Sequence, residues 1–307
     1  MAERICGDCF CSHGETIKSP MAQIEWRFKC DDAANGAWNM AVDEAMLLAH
    51  AQKITPPTLR FYDFAPECLS LGRLQKQLPS AISQNDSERD FDIVRRPTGG
   101  RAVWHEHEIT YCAVVREELL PPDSRSVEGA YRYLSEGFLR GLRQLGLPVE
   151  MAPNGVRTSG PNCFAASASC DFVARGKKLI GAAQCRVGGA ILQHGSLLLS
   201  IDAERWQNYA GGPMQSATSL QELGFCFSRE TMIEALKHGF ESAVGIRWSD
   251  ADLAGQNFSA QELQMAQSLL NGKYQRKSWT LGAQLTPAEA EKLKFELLKS
   301  GLCAPEL

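Results

Sequence analysis

Short segments rich in β-branched and aromatic residues, separated by glycine and proline, constrain this chain most strongly. Between residues 58 and 115 such segments read TLRFYDF, CLSLGR, FDIVRR, RAVWH and EITYCAVV. A further stretch, residues 169–202, predicts three strands joined by the turns ARGKK and RVGGA. Residues of these types fit the pleated, half-buried surface of a sheet, and glycine and proline mark the turns between strands. The chain therefore predicts several short strands in largely antiparallel sheets.

Helical patterns precede, interrupt and follow these strands. The segment WNMAVDEAMLLAHA, which begins at Trp38, carries apolar residues at helical spacing, and residues 127–145 repeat this pattern before Gly146 and Pro148 end it. The chain after Asp202 is mainly helical, and Thr286 with the following Pro-Ala-Glu is a strong helix start. The predicted class is α+β, with a disordered extension at 1–20, one domain at 21–220 and a helical extension at 221–307 packed on it.

Composition and charge exclude several classes of protein. Hydrophobic residues make up 44% of the chain and charged residues 22%, which is ordinary for a soluble folded protein. The net charge of −4 argues against a general nucleic-acid binder, because such proteins carry a basic excess. The sequence contains neither a run long enough to span a membrane nor the pattern of a signal peptide. We expect a cytoplasmic protein with neither nucleic acid nor membrane as a partner.

The eleven cysteines are scattered, apart from one cluster near the N-terminus. The spacing in this cluster, which consists of Cys6, Cys9, Cys11 and His13, is typical of a zinc or iron–sulfur site. No second ligand pair follows at a zinc-finger spacing. The histidines between residues 105 and 194 show no fixed ligand spacing either. We therefore predict no metal site and no cofactor.

The segment RRPTGGRAVWH, which begins at Arg95, gathers three arginines around a Gly-Gly turn. Arginine binds carboxylate and phosphate well, and Gly99 and Gly100 allow a close approach to the backbone. A hairpin turn with arginines in solvent would explain the same pattern. The segment by itself leaves both interpretations open.

Two other glycine-rich or small-residue stretches are candidates for chemistry. In RGKKLIGAAQ, the alternation of side chains along a strand predicts that Lys177 and Lys178 point in opposite directions, and the small residues that follow leave room for a ligand chain. In SGPNCFAASASCDF, Cys163 lies in an aperiodic loop, where exposure and a nearby cation would make a nucleophile. Cys170 is predicted to pack within a strand.

These stretches, taken in order, resemble the lipoate–protein ligase and octanoyltransferase superfamily. The resemblance runs from about Trp26 to about Tyr209 through WNMAVDEAML, TLRFYDFAPECLSLGRLQ, RRPTGGRAVWH, GKKLIGAAQ and ILQHGSLLLSID. The segment NCF before the lysine turn is similar to the octanoyl-[acyl carrier protein]:protein N-octanoyltransferases of Gram-positive type. The resemblance implies a biotin/lipoate–protein ligase-like catalytic domain with a short helical C-terminal tail.

The resemblance also implies roles for particular residues. Cys163 corresponds to the acyl-accepting nucleophile of that branch, and Lys178 to the active-site lysine of the family. The implied substrate pocket, in which His105 lies near the reacting carbonyl, consists of Arg96, Thr98, Gly99, Gly100, Arg101, His105, Gly181 and Ala182. The arginines would position the phosphopantetheine arm of the donor or brace the loop.

The implied reaction is acyl transfer without a nucleotide. An octanoyl group would pass from octanoyl-acyl carrier protein to the cysteine and then to a lysine of a lipoyl domain, such as glycine cleavage H protein or a 2-oxoacid dehydrogenase E2. An ATP-dependent lipoate–protein ligase and an octanoyl amidotransferase between lipoyl domains are the alternatives. Fewer than thirty residues follow RKSWTLGAQL, too few for the accessory C-terminal domain of many ligases.

The first prediction concerns residues 1–20. Because patterned sequence begins only after Met21, a variant that starts at Met21 should keep its melting temperature and transfer activity nearly unchanged. Thermal denaturation and an acyl-transfer assay check this. Loss of a bound metal together with loss of activity would instead give the cysteine cluster a role.

Overall fold

The computed structural model describes residues 24–83, 89–152, 163–165, 171–211, 214–249 and 258–302. The strands are β1 (Glu25–Cys30), β2 (Thr58–Tyr62), β3 (Cys68–Leu71), β4 (Asp92–Arg95), β5 (Val103–His105), β6 (Glu108–Arg116), β7 (Val149–Met151), β8 (Phe172–Ala174), β9 (Lys177–Val187), β10 (Ala190–Leu198) and β11 (Arg247–Trp248). The helices are α1 (Gly36–Ala51), α2 (Val127–Gln144), α3 (Ala203–Tyr209), α4 (Leu220–Leu223), α5 (Arg229–Gly239), α6 (Ala260–Leu269), α7 (Lys277–Thr280) and α8 (Pro287–Lys299). This mixture confirms the predicted α+β class.

Two sheets form the framework. The larger has the order β11-β1-β2-β6-β10-β9-β8-β7, and the smaller has the order β4-β3-β5. Strand β1 is parallel to both of its neighbours and β3 is parallel to β4, while the remaining pairs are antiparallel. The three strands predicted in residues 169–202 are β8, β9 and β10. The turn between β9 and β10 uses Gly188 and Gly189 at positive φ, as a two-residue hairpin requires.

Helices cover both faces of the large sheet. Helices α2 and α5 pack on one face around Phe138 and Phe240, and α1 lies on the other face with α6 and α8 behind it. A third cluster joins the small sheet to α3 through Trp104 and Trp206. Residues of the polar sequence motifs from both sheets meet at the junction of the two sheets.

The helix boundaries follow the capping signals in the sequence. Helix α1 begins after Asn35, whose side chain accepts a hydrogen bond from the Trp38 amide. Helix α8 begins at Pro287 with a capping box between Thr286 and Glu289, as predicted. None of the helices in the described part of the chain combines the length and the hydrophobicity needed to cross a bilayer.

Residues 221–307 contribute more than helices. Strand β11 extends the large sheet beside β1, and two buried ion pairs connect α6 and the turn after it to the rest of the chain. Arg27 donates to Glu262 at 2.8 Å, and Lys273 donates to Glu44 at 2.7 Å. The predicted boundary at residue 220 stays a prediction.

The Arg27–Glu262 pair provides a stability test. Glu262→Gln leaves the Arg27 guanidinium buried without a charge partner, so we expect the free energy of unfolding to fall by about 3 kcal/mol or more. Denaturant titration measures the loss. Glu25→Gln is the control, because Glu25 pairs with Arg247 at the surface, where the two side chains are 52% and 60% exposed. Exposed ion pairs contribute at most about 1 kcal/mol to the free energy of unfolding. Equal losses in both variants would contradict the argument.

Candidate active site

The arginine loop, residues 95–101, connects β4 to the start of β5, and its first two arginines are buried rather than solvated. Arg95 points toward the C-terminal helices, where it donates to the carbonyls of Trp279 and Thr280 at 3.1 and 3.0 Å. Its Nη1 donates to the carbonyls of Gly72 and Gln75 at 2.6 and 3.1 Å. This geometry excludes the interpretation in which these two arginines project into solvent.

Arg96 points the other way, toward the interior of the site. Its guanidinium donates to the carbonyls of Gly99 and Arg101 at 2.8 and 2.7 Å. It also reaches the hydroxyl of Ser70 at 3.1 Å. Arg96 thus fixes the curvature of the loop on which it lies, and it connects that loop to β3.

Cys163 begins a short turn, Cys163–Ala165, beside this loop. Its amide donates to the carbonyl of Ala102 at 2.9 Å. Gly100 has a φ of 92°, and a β-carbon on it would lie 3.4 Å from the Cys163 sulfur, so the sulfur packs on the bare backbone of the glycine. The next residue, Phe164, anchors the turn: its buried ring contacts Trp206 and occupies the space that a side chain at Gly181 would take.

Lys178 lies next to the Cys163 turn, on the inner face of β9. Lys177 is exposed and Lys178 is buried, which confirms the predicted opposite orientation of the two lysines. The Lys178 ammonium donates to the Asp171 carboxylate at 2.7 Å and to the Cys163 carbonyl at 3.2 Å. A buried ion pair therefore holds the main chain at Cys163.

These residues surround a cavity at the junction of the two sheets. This cavity is partly open to solvent. On the side of the large sheet, the lining is mostly small residues of β9 and β10. The lining residues include Met40, Tyr62, Phe64, Arg96, Val103, His105, Cys163, Gly181, Ala182 and Ala183. Such a lining suits an unbranched apolar chain with a polar group at one end.

One wall of the cavity is a hydrogen-bonded polar cluster around His105. Its Nδ1 donates to Oε1 of Glu108 at 2.6 Å, and its Nε2 lies 2.7 Å from the Ser70 hydroxyl. Hydroxyls of Thr110 and Ser196 donate to the same Glu108 oxygen. The imidazole ring also stacks on Phe64 with centroids 4.2 Å apart. His105 is therefore fixed in both tilt and rotation.

A second network holds the arginine loop from below. Thr98 contacts Nε2 of His194 at 2.6 Å, and Nδ1 of His194 contacts Asp43 at 3.0 Å. Burial lowers the pKa of His194, so the ring is neutral near pH 7. A neutral ring that donates to Asp43 must accept from Thr98. Arg60 pairs with the same carboxylate at 2.8 Å and completes the network.

The structure brings the sequence-predicted residues together in different ways. Arg96, His105, Cys163, Gly181 and Ala182 line the cavity, while Lys178 contacts the Cys163 carbonyl. The other predicted residues belong to the loop that frames the cavity: Thr98, Gly99, Gly100 and Arg101.

Sequence reasoning missed the polar partners of these residues. Asp171 contacts Lys178, which lies 7 positions away, and Ser70 contacts Arg96, which lies 26 positions away. Glu108 contacts His105, 3 positions away. No motif marks Asp171 or Ser70. Glu108 carried a weak signal, because a carboxylate at the start of a strand as apolar as β6 needs a partner. For His194, the sequence predicted only that it is not a metal ligand.

Metal ligation finds no support in the part of the chain that the structure describes, where no three His, Cys, Asp or Glu side chains are grouped to hold an ion. Cys6, Cys9, Cys11 and His13 lie outside the described residues, as does Cys170.

The chain is similar to known proteins over most of its length. Residues 35–241 match the family described as "Lipoyl protein ligase A/B catalytic domain". An octanoyltransferase LipM from Kyrpidia tusciae is 38% identical over 274 residues, which cover 83% of this chain and 97% of the relative. The octanoyltransferase LipM of Bacillus subtilis is 35% identical over 280 residues, which cover 84% of this chain and 99% of the relative.

Two solved structures show the same fold at lower identity. Lipoate-protein ligase A bound with ATP has a TM-score of 0.69 and 22% identity, and the match covers 85% of this chain and 100% of the other. A bi-partite lipoate protein ligase from Thermoplasma acidophilum has a TM-score of 0.66 and 21% identity, with 86% and 98% covered. The predicted lipoate–protein ligase-like fold is thereby confirmed. The chain belongs to the lipoyl protein ligase A/B catalytic-domain family and is a transferase enzyme, as its sequence predicted.

Proposed function

We propose that this enzyme transfers an octanoyl group from octanoyl-acyl carrier protein to a lysine of a lipoyl domain, through a thioester on Cys163. Relatives that match nearly end to end carry the name octanoyltransferase, which supports the octanoyl group and its place in lipoate assembly. We assign catalysis to the domain at residues 21–220, with residues 221–307 packed on it.

The position of Cys163 is the observation that carries the proposal. Its half-buried sulfur lies at the wall of a cavity whose other lining residues are mostly small or apolar. Cys68 and Cys112 lack this combination, because both are fully buried and burial raises the pKa of both thiols well above the usual range. A thiol that stays protonated attacks slowly, so these two are poor nucleophiles.

In the first step the Cys163 thiolate attacks the carbonyl carbon of the octanoyl thioester. The carbon–sulfur bond to the carrier protein breaks, the carrier sulfur leaves as a thiolate and takes up a proton, and a new thioester forms on Cys163. The exchange of one thioester for another needs no nucleotide. Lys178 holds the carbonyl of Cys163 and fixes the sulfur relative to the cavity.

In the second step the neutral ε-amine of an acceptor lysine attacks the enzyme thioester. The amine loses a proton, the bond to Cys163 breaks, and the thiolate is regenerated. The amide is more stable than the thioester, so the transfer proceeds without ATP. His105, held by Glu108 at the cavity wall, is the described imidazole best placed to receive the proton from the amine.

A lipoyl domain is the proposed acceptor. The archaeal ligase that shares this fold was solved as part of a lipoylation system with its E2 lipoyl domain, which supports an acceptor of this class. Glycine cleavage H protein and the 2-oxoacid dehydrogenase E2 subunits are the candidates. Six described cysteines are free thiols, which fits the reducing cytoplasm in which we place the reaction.

An ATP-dependent ligase is the main competing function, because a structural neighbour binds ATP. The cationic loop would then have to hold the phosphate of an acyl-adenylate. Arg96 instead donates to protein oxygens through all three of its side-chain nitrogens, and Arg95 points toward the C-terminal helices and does not line the cavity. This use of the two guanidinium groups favours the transferase.

The energy source separates the two functions. With octanoyl-acyl carrier protein and an apo lipoyl domain, we expect octanoylation in the absence of any nucleotide, measured by the mass of the acceptor. Reactions with ATP, magnesium and free octanoate but no carrier protein are the control and should give no product. Product only in the control would assign the enzyme to the ligases, and transfer only from an octanoylated lipoyl domain would identify an amidotransferase.

The covalent intermediate predicts a specific adduct. Incubation with octanoyl-acyl carrier protein should add one octanoyl mass at Cys163, which neutral hydroxylamine removes, and Cys163→Ala should abolish both the adduct and turnover. Cys185→Ala is the matched control: this thiol is also half-buried, but burial raises its pKa to about 12, so the variant should keep both. An adduct that maps to Cys185 would overturn the site assignment, and full activity in Cys163→Ala would exclude the covalent mechanism.

A further inference from the structure

We propose that Arg96 is the counter-cation of the Cys163 sulfur, and that its buried guanidinium stabilises the thiolate before acyl transfer and again when the thiolate leaves. The inference rests on the proposed role of Cys163 as the nucleophile. The positive charge of Arg96 stabilises the sulfur anion, whereas Lys178 positions the main chain of the turn.

Gly100 brings the two groups together. A β-carbon on this glycine would lie 2.7 Å from Nη2 of Arg96 and 3.4 Å from the Cys163 sulfur. The nitrogen and the sulfur therefore lie within about 6 Å of each other, on either side of a residue without a side chain. Any other residue at this position would separate them, and the φ of 92° adds a second reason for glycine.

Arg96 differs from most buried cations of this protein in its partners. Arg27, Arg60, Lys178 and Lys273 each pair with a carboxylate. Among the described residues, Arg96 pairs with no carboxylate, and its hydrogen bonds go to neutral oxygens of Gly99, Arg101 and Ser70. Burial lowers the pKa of the Arg96 guanidinium, and the Cys163 sulfur acts in the opposite direction.

A buried charge without a countercharge is costly, so a nearby group that can ionise is favoured in its charged form. An anionic Cys163 would complete an ion pair across Gly100. Arg95 is also buried without a carboxylate among the described residues, but it points toward Trp279 and Thr280, away from the cysteine. Arg96 therefore differs from Arg95 in the direction of its guanidinium group, since both side chains are buried.

Lys178 is less suited to this role, although it is the cation that motifs single out. It is already neutralised by Asp171 at 2.7 Å, in a pair of which each side chain is only 3% exposed. A neutral pair has a much weaker field than a single charge at the same distance. Its contact with Cys163 is to the carbonyl oxygen.

The test is the pH dependence of Cys163 alkylation by iodoacetamide, quantified by peptide mass so that other cysteines do not contribute. Since an opposite charge within about 4–6 Å shifts an ionisation by about 1–3 pH units, Arg96→Gln should move the midpoint of the rate curve upward by about one unit or more. Below the midpoint this is a roughly tenfold slower reaction. Arg96→Lys, which keeps the charge but not the bracing hydrogen bonds, should move the midpoint less.

The double variant Arg27→Gln with Glu262→Gln is the matched control, because it removes a buried ion pair as a unit, leaves no net charge behind and changes no residue of the Cys163 turn or the arginine loop. Its midpoint should stay close to that of the unmodified enzyme. An equal shift in the double variant and in Arg96→Gln, or no shift in a folded Arg96→Gln protein, would overturn the proposal. Equal shifts in Arg96→Lys and Arg96→Gln would do the same, because loop bracing alone would then explain them.

A second measurement does not depend on the folding of Arg96 variants. If Arg96 lacks a countercharge, Cys163→Asp should melt at a temperature at least as high as Cys163→Asn near neutral pH, and a clearly lower value contradicts the ion pair. Neither experiment requires acyl transfer. Absence of an octanoyl adduct would therefore refute the proposed function, whereas an adduct with an unmoved alkylation midpoint would refute only the role of Arg96.

Discussion

The buried arginine loop is the constraint on which the candidate site depends. Arg95 bonds the loop to main-chain oxygens near the C-terminal helices, and Arg96 bonds it to β3 and to its own carbonyls. Because the two guanidinium groups point in opposite directions, the loop is held from both sides. Gly99 and Gly100, which follow the two arginines, add no side chain to the loop. The cavity, the approach of the Cys163 sulfur and the position of Thr98 above His194 all follow from this anchoring.

The site forms where the two sheets meet, and each sheet contributes a different kind of residue. The small sheet and its loop supply rigid donors and a bare backbone surface. The large sheet supplies Lys178 and the small residues that begin at Gly181, whose missing side chain admits the ring of Phe164. Cys163 lies between them, tied to one side by its amide and to the other by its carbonyl. The proposed nucleophile, held in this way, needs little reorganisation before it reacts.

Much of the fold was predictable because its signals are local. The pattern of apolar residues and the capping residue Thr286 predicted the helices, and the glycine turns predicted β8, β9 and β10. Alternation along β9 predicted that Lys177 and Lys178 would point in opposite directions, and the structure decided that Lys178 is the buried one. Strand β11 escaped prediction, since two residues carry no periodicity, and its pairing with β1 joins positions more than two hundred residues apart. The partners Asp171 and Ser70 were missed for a related reason: nothing near them in the sequence indicates what they contact.

The sequence by itself determined the α+β class, the order of the elements and the set of motifs that resemble the family, because each depends on propensity and spacing within a short window. Only the tertiary structure decided what the arginines do. Arg95 finds its acceptors 184 and 185 positions further along the chain, and Arg96 finds the cysteine across a loop from a different element. Burial converts a charge that would be unremarkable in solvent into one that must be matched, and burial is a property of the folded chain alone.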